Sequence, residues 1–286
     1  RDAELFDRGV FLISAENPRG TPAFKDLVAD PPTVELEFIT LWKLYILSLV
    51  GSVLVDWDVP GDAAKQVRAR LAAENLLPVK GATLASRVRA VRDFMRRFLK
   101  PNAVEGSITV DPHMGVPIFA GKITLGAPDV NQRADGLLSI DSLLRLADEA
   151  LSETDYELWL LFDRLDVAFA DSLELESNGL RALFKCYLDM LSLNKIRLKI
   201  FLRNDIWSKI AAGGFREASH ITRRLEISWT NSALLNLVAN RLGRNDDVVT
   251  YCHLTPGQPF GRRRATGFFR SYRAVSNRCR AKSSYL

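Results

Sequence analysis

The stretch Leu158-Trp159-Leu160-Leu161-Phe162 runs straight into Asp163-Arg164-Leu165-Asp166. Five apolar residues in a row, bounded by polar ones, predict a strand buried in the middle of a sheet. The carboxylate that ends it falls where open α/β sheets bind their ligands. The surrounding pattern is consistent with such a sheet. Residues 9–14 and 196–202 read as further strands, as does 225–229. Between them lie helices at 137–151, with Ser139 or Asp141 near its start, at 173–193, and at 205–212, closed by Gly213-Gly214. Thr230 caps a last helix that reaches Leu242. Continuous apolar strands alternating with helices imply a parallel sheet covered on both faces.

Ahead of this regular region, Thr33 is placed to cap a long apolar helix ending near Val55, with Phe38, Leu41, Trp42, Tyr45 and Leu49 at helical spacing. Residues 62–77 and 83–100 read as two more helices, and 119–125 as a strand or hairpin arm within the Gly/Pro-rich stretch 111–136. The chain of 286 residues fits one α/β domain with an added subdomain. We therefore expect the domain over 1–242, a helical insertion around 60–105, and a basic tail over 243–286.

Composition narrows the function classes. At 47% hydrophobic and 26% charged, the chain is neither collagen-like nor wholly disordered. The longest apolar run, 44–55, is broken by Ser48, Gly51 and Ser52, so no membrane span is expected. Cys186, Cys252 and Cys279 are too scattered for a disulfide framework or a zinc site, which fits a cytoplasmic setting. His113, His220 and His253 are isolated and offer no catalytic triad. The net charge of +5 is uneven: residues 248–286 hold eight Lys or Arg and no Asp or Glu, leaving the body at −3.

Two strand ends could carry chemistry. Asp163 can hold Mg²⁺ through water and so neutralise nucleotide phosphates, and Asp166 can polarise an attacking water. Both also suit the plain role of capping the following turn. At the end of 196–202, the Arg203 guanidinium can reach a γ-phosphate, while Asn204 or Asp205 is explained as an N-cap. Trp159 and Trp207, beside these motifs, read as core.

Taken together, LWLLFDRLDVAF and KIFLRNDIW resemble the Walker B and sensor-type strands of a bacterial P-loop ATPase family related to the STAND and AAA+ NTPases. HITRRLEISWTNSALLNLVANRL and ITLWKLYILSLVG are similar to other parts of that group. The resemblance implies a three-layer P-loop NTPase-like fold, α/β with a parallel sheet and helices on both faces. It implies ATP and Mg²⁺ as ligands, Asp163 on the metal, Asp166 as general base and Arg203 on the γ-phosphate. A nucleotide-dependent switch or motor working with a protein partner or as a homo-oligomer would follow. The pattern G-x-x-x-x-G-K-[ST] is missing from these residues. Gly115 to Ile123 comes nearest, with one residue too many between its glycines and Ile in place of Ser or Thr. Either that loop lies upstream of Arg1 or the site is degenerate, leaving a non-hydrolysing scaffold.

A third reading is a nucleic-acid-binding module. Helix 83–100 carries Arg87, Arg89, Arg92, Arg96, Arg97 and Lys100 against the single acid Asp93, and a solvated face explains this equally. In the tail, Arg262, Arg263 and Arg264 precede Phe268, Phe269 and Tyr272, interleaving cations with aromatics as single-strand binders do. We expect the tail to be poorly ordered.

Overall fold

The computed structural model describes residues 2–17, 23–24, 35–77, 81–99, 109–110, 117–118, 123–124, 138–168 and 172–251. It is a mixed α/β structure with many helices and a small three-stranded parallel sheet. The chain divides into two compact units, Arg1–Thr222 and Arg223–Leu286.

In the first unit, α1 (Asp2–Phe6) leads into β1 (Val10–Ser14). Gly9 between them sits at φ 72°, and a Cβ there would lie 2.5 Å from the Asp155 carbonyl oxygen, so only glycine fits. The helices α2 (Glu35–Asp56), α3 (Asp62–Ala73) and α4 (Leu84–Leu99) follow. Four two-residue strands come next: β2 (Thr109–Val110), β3 (Pro117–Ile118), β4 (Ile123–Thr124) and β5 (Leu138–Ser139). Then come α5 (Ile140–Ser152), β6 (Glu157–Phe162), α6 (Leu165–Ala168), α7 (Leu173–Asp189), β7 (Ile196–Ile200) and α8 (Asn204–Ala212). Ser139 does cap α5, accepting the Ser142 N–H at 3.1 Å.

The sheet order is β1-β6-β7, with all pairs parallel. The apolar run of β6 hides an alternation. Leu158, Leu160 and Phe162 are fully buried and level with Ile196, Leu198 and Ile200 on one side and Phe11 and Ile13 on the other. Glu157, Trp159 and Leu161 point to the opposite face and are only half-buried. There Lys199 lies 3.9 Å from the Trp159 ring centre, and Trp159 donates to Glu157 at 2.8 Å. The expectation of a strand apolar on both faces, and of Trp159 as core, is corrected accordingly.

The dry face is covered by α2. Trp42 and Tyr45 meet Phe162 edge-on, and Phe24 packs against both. The polar tips of both rings find partners: Trp42 Nε1 donates to the Gly179 carbonyl of α7 at 2.8 Å, and the Tyr45 hydroxyl to the Ala15 carbonyl at 2.8 Å. Lys43 bridges Asp141 of α5 (2.8 Å) and Asp189 of α7 (2.7 Å). By length and hydropathy this 22-residue helix would qualify as a membrane span, its polar interruptions notwithstanding, but 78% of its apolar window is buried inside the protein. It is the central core helix.

The start of β7 is set by a carboxylate that the sequence pattern does not reveal. Asp148 of α5, buried, accepts the N–H groups of Asn194 (2.9 Å), Lys195 (2.7 Å) and Ile196 (3.0 Å). These donors sit just before β7 and at its first residue, where buried N–H groups need an acceptor.

In the second unit, α9 (Asn231–Leu242) is capped by Thr230, which accepts the Ala233 N–H at 3.1 Å, and α10 (Asp246–Tyr251) follows. The expected strand at 225–229 does not form. The segment is irregular, with Leu225 85%, Ile227 74% and Trp229 59% exposed. Alternating apolar residues make a strand only where a partner supplies hydrogen bonds and a face to cover them. Residues 246–251, expected within the tail, are helical. The Thr33 cap, most of 119–125 and the tail beyond 251 lie outside the described residues, as do His113, His253, Cys252 and Cys279.

Candidate functional site

Parallel pairing brings the ends of β6 and β7 side by side. Phe162 is level with Ile200, and the Phe201 N–H extends the ladder by donating to the Phe162 carbonyl at 2.8 Å. Just beyond, Asp163, Arg164, Asp166, Phe201, Leu202 and Arg203 line a cleft of about 210 Å³. The three residues singled out by the sequence, Asp163, Asp166 and Arg203, therefore line one cavity. It opens at the C-terminal edge of the sheet, where parallel folds place their ligands.

The turn that carries the carboxylates is built locally. Arg164 adopts the left-handed conformation at φ 58°, rare for a long side chain, which reverses the chain at the strand end. Asp163 is exposed, and its Oδ1 accepts the Arg164 N–H at 2.8 Å. Leu165 is fully buried and pins the turn, while Asp166 is partly exposed. The Arg164 guanidinium reaches across to donate to the Asn17 carbonyl at 2.8 Å.

Arg203 is the N-cap residue of α8 but makes no capping bond, so the expected N-cap at Asn204 or Asp205 moves by a residue. Its guanidinium binds Asp205 in a fork, Nε to Oδ1 at 3.1 Å and Nη2 to Oδ2 at 2.9 Å. A third contact, to Asp166 at 3.6 Å, joins the two strand ends. The Asp205 bond raises the affinity of Arg203 for its proton; for Asp205, partial desolvation pushes the carboxyl up but the guanidinium outweighs it and holds it low. Arg203 is largely exposed, so these pairs contribute little to stability and mainly fix geometry.

Glu176, in the first turn of α7, escaped the sequence reading. Burial raises its carboxyl above the usual range, Lys209 opposes this, and Asp166 and Asp205 add to it. Glu16, just past β1, was missed too. Glu176 follows no apolar run, and Ser14 and Ala15 separate Glu16 from the run of β1, so neither gives the signal that marks Asp163 and Arg203.

Among the described residues, no group of three or more His, Cys, Asp or Glu could cage a metal ion. Asp163, exposed at the end of β6, and Asp166 are the acids that line the cleft.

One cation of the basic helix is turned inward, while Arg89 and Arg96 are exposed. Arg87 is half-buried and donates to the Ser48 carbonyl at 3.3 Å and to the Ser52 hydroxyl, both on α2; burial lowers its proton affinity. Arg92 is partly buried, and Arg96 lies 3.9 Å from Asp93. Arg262, Arg263 and Arg264 lie outside the described residues. So does most of the span from Gly115 to Ile123, although Ile123 begins β4, a strand and not the helix a phosphate cradle needs.

No family model, curated protein or solved structure matches this chain.

Proposed function

We propose that this chain belongs to an ATP-binding P-loop-type NTPase, with its nucleotide at the shared end of β6 and β7. The observation that carries the reading is the Arg203–Asp166 contact at 3.6 Å across two adjacent parallel strands. Residues 37 positions apart in sequence, chosen for phosphate and water chemistry, line one cleft. In this reading Asp163 holds Mg²⁺, Asp166 orients the attacking water and Arg203 meets the charge that develops on the γ-phosphate. The reading also takes in a three-layer arrangement, the sheet with helices on both faces, and a phosphate loop whose backbone N–H groups and lysine hold the phosphates. Coupling to a protein partner or to a second copy, in the cytoplasm, completes the proposal.

The test is Mg²⁺-dependent ATP binding and hydrolysis by the full-length protein, with Asp163→Asn, Asp166→Asn and Arg203→Ala beside it. Loss of turnover in the first, slowed turnover with retained binding in the second, and weakened γ-phosphate discrimination in the third support the reading.

One observation favours a non-hydrolysing scaffold of the same architecture. Asp205 already occupies Arg203 through two hydrogen bonds, so a phosphate must compete for that guanidinium. ATP binding without turnover in the full-length wild type would select this second reading.

A further inference from the structure

Glu16 is the buried carboxylate that neither the core nor the cleft accounts for. The Ala15 N–H donates to the Leu161 carbonyl at 2.9 Å, so the chain leaving β1 stays beside β6 to the point where the Asp163 turn begins. Glu16 follows, only 2% exposed. Its Oε1 accepts the N–H groups of Asn17 at 2.6 Å and Ala23 at 2.7 Å, and its Oε2 is buried with no hydrogen-bond partner. The adjoining backbone is clamped as well, by the Tyr45 hydroxyl on the Ala15 carbonyl and the Ser14 hydroxyl on the Glu16 carbonyl. Burial pushes this carboxyl above the ordinary range, opposed by its backbone donors and by the Arg164 charge.

The N–H groups of Asn17 and Ala23 share the one oxygen Oε1, which a glutamine would also supply without a charge. The negative charge instead matches Arg164, whose guanidinium binds the carbonyl of Asn17, the residue whose N–H the same carboxylate holds. Arg164 in turn occupies the left-handed position of the turn, and its N–H fixes Asp163 Oδ1. An unbroken path runs from Glu16 through Asn17 and Arg164 to Asp163.

We propose that Glu16 is a positioning residue that holds the Asp163–Asp166 turn in shape through Asn17 and Arg164. Its consequence for nucleotide chemistry rests on the function proposed above; its effect on the turn does not. Glu16→Gln keeps the loop-closing acceptor and removes the buried charge. Three variants of the full-length protein, Glu16→Gln, Arg164→Ala and the double variant, are compared by thermal melting and amide hydrogen exchange. Glu16→Gln should melt no lower than wild type at neutral pH, while amides of 164–168 exchange about tenfold faster and those of α7 are unchanged. Arg164→Ala should do the same to the turn, and the double variant should add nothing further. Unchanged exchange in the turn, an effect additive with Arg164→Ala, or a lower melting point with exchange raised throughout would overturn the proposal. Mg²⁺-ATP binding on the same samples separates the two claims: a wild type that binds no nucleotide yet shows the exchange pattern retains the positioning role and loses the nucleotide reading.

Discussion

The segments LWLLF at 158–162 and LEISW at 225–229 are similar in length and β-propensity, yet they end in opposite states. The first is the central strand of a parallel sheet, with Leu158, Leu160 and Phe162 fully buried. The second is irregular and leaves its three large apolar side chains mostly exposed. What separates them is the partner. β6 has β1 on one side, β7 on the other and α2 above its dry face, whereas 225–229 pairs with no strand among the described residues. Strand formation is a property of the pair, and local propensity only permits it.

That contrast predicts a large difference in stability. Leu160→Ala should cost about 2–5 kcal/mol, as a cavity opens under α2. Ile227→Ala should stay within roughly 0.5 kcal/mol. Denaturant unfolding measures both, read on the first unit for Leu160→Ala and on the second for Ile227→Ala; equal costs would break the comparison. Next in size, Asp148→Ala strands three N–H groups at the start of β7 and should cost about 3 kcal/mol, against less for Asp148→Asn, which retains one acceptor oxygen. Should Asp148→Ala be neutral, β7 is held by its ladder alone.

The strand-end residues come lower on the scale. Asp163→Asn and Asp166→Asn should each change stability by about 1 kcal/mol or less, because an amide still caps a turn, while turnover changes far more. Equal small effects on both quantities would reduce the turn to a cap. Smallest of all is Arg203→Ala, whose exposed ion pairs should add little to stability and weaken with added salt. A larger, salt-insensitive loss would mean that Arg203 supports the fold.

The sequence made β6, β7 and their polar ends legible because an apolar run that stops at a charge is a local signal. In the fold the short α6 and the long α7 carry the chain from one to the other. The half-buried face of β6 was not legible: Trp159 and Leu161 are apolar, so composition masked the alternation that burial reveals. Asp148 and Glu16 were hidden for another reason. Asp148 gains its meaning from backbone N–H groups 46 to 48 residues away, and Glu16 from an Arg164 that reaches the neighbouring Asn17 only in the folded chain. Arg87 looked like one cation of a basic face until α4 packed on α2 and turned it inward. The failure at 225–229 has the same origin, since a missing neighbour leaves no trace in the segment itself.

The central claim is that the joined ends of β6 and β7 form a nucleotide site. Its most direct measurement is Mg²⁺-dependent ATP hydrolysis by the full-length protein and its Asp163→Asn variant, with melting temperatures taken on the same samples. The account predicts turnover in the wild type and its loss in the variant, a deficit on the order of 3–4 kcal/mol in the barrier, with nearly unchanged melting. Wild-type turnover in Asp163→Asn would contradict it.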